Sequence, residues 1–457
     1  MKDAAAPSPT LTKGSSASHN QDMTYSLLSV LAGSLASLGC LVGAFFALRR
    51  KRLTDDVPTS KAQGVFIGFV ELQGTAETEN PLTSYLAETR CVQYVWQVDE
   101  HWSRTVVETY TDSEGHTQRR TRTESGWTRV AGGGQAIPFY LRDDSGVIRI
   151  VPEGATIHGV KVLDQTCSRG SSVYFGKGPP SEVADSTHRR HFLETAVPLH
   201  SMLYIVGQAR EREDIVAAEV AHDKDAPMFL ISTRTEKQVS RRYALSFWLW
   251  SIPGLGAVIA GAIGYSVLET GSIIWQPPAI ATGAFIAAML LGWVWTTYNS
   301  LINLRNMVGQ GRSQVDVQLK RRHDLIPNLV GTIEGYRTHE SETQRLLAEI
   351  RGQIETTPPG EPGPDPKGIA PMLAVIVERY PELKASESFL QLQHALADTE
   401  QRIALARDYF NNIATFYNTR LDIIPDRFVA AMAGLHPQAL LAAADFERAP
   451  VHIRLVS

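Results

Sequence analysis

At 457 residues the chain is long enough for two or three domains. Its 44 Lys and Arg against 48 Asp and Glu leave a net charge of −4, so no global basic field marks a nucleic-acid binder. Three cysteines, Cys40, Cys91 and Cys167, make neither a disulfide framework nor a zinc site, and the soluble parts fit a reducing compartment.

Residues 1–22 are rich in Ala, Ser, Pro and Thr and read as a disordered tail. The next segment, 23–52, has no charge from Tyr25 to Leu48 and closes on Arg49, Arg50, Lys51 and Arg52. A cleavable signal carries its charge ahead of the apolar run, so this order predicts an uncleaved anchor.

Residues 61–237 read as a β-rich domain, a small sheet or barrel. Val65–Leu72 is a first strand. Val95–Val107 alternates, meets a turn at Thr111–His116 and continues through Thr117–Thr123, which is a hairpin pattern. Phe139–Arg142, the turn Asp143–Gly146 and Val147–Val151 make a second hairpin. Met202–Val206 and Phe229–Ser232 complete the strands.

Two further uncharged segments follow, 243–268 and 277–298, the latter starting at Pro277-Pro278. About 20 apolar residues cross a hydrocarbon core, so each is long enough. Arg49–Arg52, Arg241-Arg242 and Arg305 with Arg312 flank the spans on one side, and the loop 269–276 has no Lys or Arg. The positive-inside rule then places the N-terminus outside and both soluble regions in the cytoplasm. Residues 299–457 read as helical. One helix runs to about Arg322, and a second is capped by Asp324 with Pro327 in its first turn and ends near Ile354. Thr356–Pro371, with its six prolines, is a loop. Helices at Met372–Tyr380 and Ser388–Asp422 follow, and Pro425 and Gly434 bound a short end piece.

Few residues carry chemistry. A RING needs about eight Cys or His ligands around two zinc ions, and no Cys lies beyond 167. Gly170–Lys177 has the wrong spacing for a phosphate loop and reads as a turn or loop. His339-Glu340 lacks the second histidine of a zinc protease, because Thr343 stands there. His188 and His191 lie in an expected loop with no third ligand, and Cys91 reads as a buried structural thiol. Gly39-xxx-Gly43 and Gly256-xxx-Ala260-xxx-Gly264 are small-residue faces that suit helix packing within the chain or between copies.

The C-terminal third resembles the LemA family. The resemblance is carried by Tyr298–Val308, Ser313–Glu340, Tyr380–Leu390, Thr399–Ala404 and Tyr417–Thr419. It implies a membrane helix leading into an antiparallel cytoplasmic bundle without established enzymatic chemistry. The chain departs from the family at Gly309-Gln-Gly-Arg312, where two glycines should loosen the helix by about 1 kcal/mol each. The β region is similar to the GIDE module of membrane-bound ubiquitin ligases through Asn80–Ser84, Cys91–Tyr94, Phe139–Gly146, Glu194 and Leu203–Ala209. In those ligases a RING follows, and here the LemA-like region stands in its place.

The expected architecture is therefore a multi-domain membrane protein. It has three transmembrane helices, a β-rich GIDE-like domain and an all-α antiparallel LemA-like bundle with coiled-coil character. The expected role is a non-enzymatic scaffold or adaptor in a bacterial cytoplasmic membrane, without cofactor or metal. Its partners would be the lipid bilayer, a second copy and a cytoplasmic protein, with no nucleic acid. A ligase-like role or a channel or transporter component are the alternatives. Asp316, Lys320, Arg321, Arg322, Asp324 and Glu340 form the candidate interaction surface.

Overall fold

The computed structural model describes residues 15–65, 67–111, 117–212, 217–335 and 387–441. The chain order is α1 (Ser15–Asp55), β1 (Thr59–Ser60), a 3-10 turn (Ala62–Gly64), β2 (Gly68–Glu77), β3 (Leu82–Thr83), β4 (Arg90–Thr111), β5 (Thr117–Ala136), β6 (Phe139–Arg142), β7 (Val147–Ile150), β8 (Thr156–His158) and β9 (Val160–Ser168). It continues with α2 (Ser172–Gly176), β10 (Ser186–Pro198), β11 (Met202–Glu211), β12 (Ala218–Ala221), β13 (Leu230–Ser232), α3 (Glu236–Thr270), α4 (Gln276–Gly335), α5 (Glu387–Asp422) and α6 (Asp426–Met432).

The strands among the described residues form two sheets. In the first, β2, β6, β7, β12 and β11 pair in turn, and β11 pairs back on β2, which closes a small barrel. Alternation along each strand sends Val70, Leu72, Phe139, Leu141, Ile148, Ile150, Leu203, Ile205 and Val220 into one core. Gly74 permits the closure, since a Cβ there would sit 2.3 Å from the Arg142 carbonyl oxygen. In the second sheet β4 pairs with β3, β5 and β10, and β9 lies beyond β10. Its smaller core is Leu86, Val98 and Phe192.

Among the described residues, three helices are long and apolar enough to cross a membrane: Thr24–Asp55 within α1, α3, and Gln276–Leu325 within α4. The chain divides into two compact units. The first joins Met1–Asp56, Glu236–Arg305 and Tyr417–Pro437, and the second joins Val57–Thr235, Asn306–Phe416 and Gln438–Ser457.

In the first unit, α1 and α3 approach at Gly33 and Gly261. A Cβ on Gly33 would lie 2.7 Å from the Ala257 carbonyl oxygen and 2.9 Å from the Gly261 Cα. Of the small residues picked from sequence, Gly43 abuts Trp250 and Gly264 abuts Ser29, so packing within the chain occupies both. Gly39 and Gly256 have open space beside them.

Both C-terminal helices carry a narrow buried stripe. On α4 it is Leu301, Leu304, Val308, Gly311, Val315 and Leu319. On α5 it is Thr399, Ile403, Ala406, Phe410, Ile413 and Tyr417. The steps of three and four residues are those of a coiled-coil seam. In the second unit Gly311 lies 3.6 Å from the Phe410 Cα, and Arg322 pairs with Glu400 at 3.5 Å, so α5 runs back along α4 there.

Several expectations are corrected. α1 already begins at Ser15, inside the stretch assigned to the tail. No break separates two helices at Asp324. α4 passes through Pro327, whose exposure lets water take up the carbonyl its ring frees. The same helix passes unbroken through Gly309 and Gly311. Gly170–Lys177 holds the short helix α2, capped by the Ser171 hydroxyl accepting from the Val173 amide. His188 and His191 lie in strand β10, not in a loop. The expected 356–371 loop and 372–380 helix lie outside the described residues.

Candidate functional site

Asp316, Lys320 and Asp324 recur four residues apart on an exposed face of α4, with Arg321 exposed beside them. Arg322 is turned inward to Glu400. Glu340 lies outside the described residues. The structure thus places four of the six on open helix surface and gives the fifth a packing role.

The buried charges lie elsewhere. In the first unit, the end of α1 meets α4, α5 and α6 through two arginines and two aspartates. The Arg420 guanidinium donates to the Asp56 carboxylate and, through Nε at 2.8 Å, to Asp426. Arg52 donates to Asp426 at 3.3 Å and to the Thr297 hydroxyl at 2.9 Å, and Ser300 donates to Asp56. Burial pushes the Asp56 carboxyl above its ordinary value, opposed by Arg420, Ser300 and Arg52. The group is formally neutral, and each charge is held by the next. Its partners are 244 to 374 residues apart for the α1 side chains, so no local spacing could reveal it.

The β region carries three more polar knots. Arg190, wholly buried, crosses from β10 to Glu100 on β4 at 2.9 Å. It also donates to the carbonyls of Tyr174, Pro179 and Ser181, each at 2.8 Å. Glu100 accepts from the Ser186 hydroxyl at 2.5 Å, and the phenol of Tyr174 lies 3.1 Å from both Glu100 and Glu182. Burial raises that phenol to about 12. The result pins the 171–186 segment to the sheet.

Glu194 is the second knot. Its carboxylate accepts from the Ser84 hydroxyl at 2.9 Å and from the Leu86 and Ala87 amides at 3.0 and 2.7 Å. Burial, and then the charge of Glu194, lift the Cys91 thiol to about 11. A nucleophilic cysteine needs the opposite shift, so Cys91 is a packing residue, as its strand position suggested. Glu194, Ser84 and Cys91 were picked from separate segments, and the fold brings them together.

The third knot is the Asp143–Gly146 turn. Asp143 accepts from the Ser145 and Gly146 amides, the Ser145 hydroxyl and the Ala62 amide. The held 3-10 turn in turn docks on α5. Gln401 donates to Gln63 at 2.8 Å, and Gly64 lies against Leu405 so closely that a Cβ would be 2.9 Å away. The β region and the C-terminal helices therefore touch through a segment fixed by a β turn.

Two family models match parts of the chain. Residues 311–455 match the LemA family, and residues 107–264 match the GIDE family, described as E3 ubiquitin ligase. Protein LemA of Metamycoplasma hominis is 27% identical over 158 residues, covering 34% of this chain and 72% of that protein. Magnetosome protein MamQ of Magnetospirillum gryphiswaldense is 24% identical over 183 residues, and MamQ 2 of Paramagnetospirillum magneticum 23% over 184. The chain spans 65% of the length of each MamQ protein. The chain thus joins a region that matches the GIDE family to one that matches the LemA family.

Proposed function

We propose that the chain is a non-enzymatic scaffold or adaptor that spans a bacterial cytoplasmic membrane three times. Its GIDE-like module and its antiparallel LemA-like bundle would both face the cytoplasm. The observation that supports this reading is the contact between the two regions. Gln63 and Gly64 on the β side meet Gln401 and Leu405 on α5, so the modules are built to be presented together. The exposed Asp316, Lys320, Arg321 and Asp324 are the proposed docking surface for a cytoplasmic partner. Cross-linking in native membranes followed by affinity purification tests it. The expected result is a partner whose cross-links fall on α4 and are lost in Lys320→Glu/Arg321→Glu. Release of the chain by an alkaline membrane wash, or turnover of a substrate that one polar side chain abolishes, would sink the reading.

The GIDE match favours one second reading, a ligase-like role. Three cysteines in the whole sequence cannot supply a RING. A ubiquitin-transfer assay with added zinc separates the two, and the scaffold reading expects no transfer.

A further inference from the structure

Strands β4 and β5 outrun their sheet. β10 pairs with β4 only as far as Trp102, while β5 stays paired with β4 to Thr111. Past Trp102 the two strands form a ribbon, and among the described residues β5 pairs with no strand but β4. The outer edge of β5 therefore presents backbone donors and acceptors that another strand can use. Its side chains carry both signs of charge: Arg119, Arg120, Arg122 and Arg129 with Glu124, all in Thr117–Ala136.

We propose that this edge pairs with the same edge of a second copy, antiparallel, about a two-fold axis at Thr123. A two-fold antiparallel pair places residues of one parity opposite each other on one face of the sheet. With the axis at Thr123, Arg122 of each copy faces Glu124 of the other, and this happens twice. On the opposite face Thr121 meets Ser125 and Thr123 meets Thr123, a ladder of hydroxyls. Arg119 then lies across from Trp127, a residue that is 47% exposed and whose ring also meets His101 and His191 edge-on, within reach of a guanidinium.

No like charges oppose each other in this register over 117–129. Moving the axis one residue either way sets Arg122 against Arg122 or Glu124 against Glu124. The charges on this edge thus oppose a slip of one residue either way, and the axis at Thr123 is the one that sets Arg122 against Glu124 without a like-charge pair. Within the chain Glu124 is also held by Arg104 at 2.9 Å, so its carboxylate is placed on the ribbon before any partner arrives.

The test uses the full chain in native membranes with Thr123→Cys, under mild oxidation. A disulfide needs Cα atoms within roughly 7 Å, which a directly opposed strand pair meets. The expected result is a shift from monomer to a reducible dimer for Thr123→Cys. Thr121→Cys and Ser125→Cys should give no dimer singly but should cross-link when the two variants are co-expressed. The unsubstituted chain supplies the background from its own cysteines. Adding Arg122→Glu to Thr123→Cys should abolish the dimer. The proposal is overturned if Thr123→Cys stays monomeric, as it would with a solvated ribbon or another protein's strand on this edge. Equal yields at 121, 123 and 125, the mark of random collision, overturn it as well.

Discussion

Glu194 is buried with three donors aimed at its carboxylate. Glu194→Ala strands the Ser84 hydroxyl and two amides in the interior. Losing a charged acceptor of this kind should cost about 3 kcal/mol, read as a lower unfolding midpoint of the β region in the full chain. Asp143 gives a pH test. Burial would raise its carboxyl, but its hydrogen bonds to Ser145, Ala62 and Gly146 outweigh that and hold it below 3.8. A depressed folded value means the stabilisation is complete above the ordinary carboxylate range and fades as the pH falls through the folded value. Asp143→Asn should therefore be less stable at neutral pH and converge with the parent in acid, in paired melting curves across pH. Both residues were visible in the sequence as members of short motifs. Their partners were not, because Ala62 is 81 residues from Asp143 and Leu86 is 108 from Glu194.

Strand β10 shows why some elements escape sequence reading. Its inward positions are Arg190, Phe192, Glu194 and Ala196, so the buried face carries two charges and the apolar alternation is lost. A partner such as Glu100 on another strand is what makes the pattern sensible. The hairpin at 139–150 was legible because its core positions are apolar and its turn chemistry is local. On α4 the boundary signals Asp324 and Pro327 pointed to a break that the helix does not make. Helix α4 also offers a direct test. Gly309 is helical with open space beside it, so Gly309→Ala should raise stability by about 1 kcal/mol in thermal melts. Gly33→Leu should do the reverse, because α3 leaves no room for a side chain there. A lowered yield of folded protein in detergent, measured by size-exclusion chromatography, checks it.

At the scale of the molecule, both matched families were recognised from motif residues, some of which lie outside the matched stretches 107–264 and 311–455. For the LemA part these residues include members of the seam: Leu301, Leu304, Val308, Val315 and Leu319 on α4, Ile403 and Tyr417 on α5. They report packing, which explains why the fold was more legible than the function. The contact of Gly64 with Leu405 had no sequence signal, since it joins two parts by shape. Gly64→Glu should separate them, and limited proteolysis of the full chain should then cut α5 faster than in the parent.

The order of synthesis gives the interleaved units a further meaning. The chain contributes to the first unit three times, and its last contribution, Tyr417–Pro437, supplies both Arg420 and Asp426. Until the ribosome has made that piece, Arg52 and Asp56 have only each other and the Thr297 and Ser300 hydroxyls of α4. A nascent chain halted before Tyr417 lacks the second arginine and the second aspartate that complete this buried group. The first unit's polar group is therefore closed last, by the piece made last.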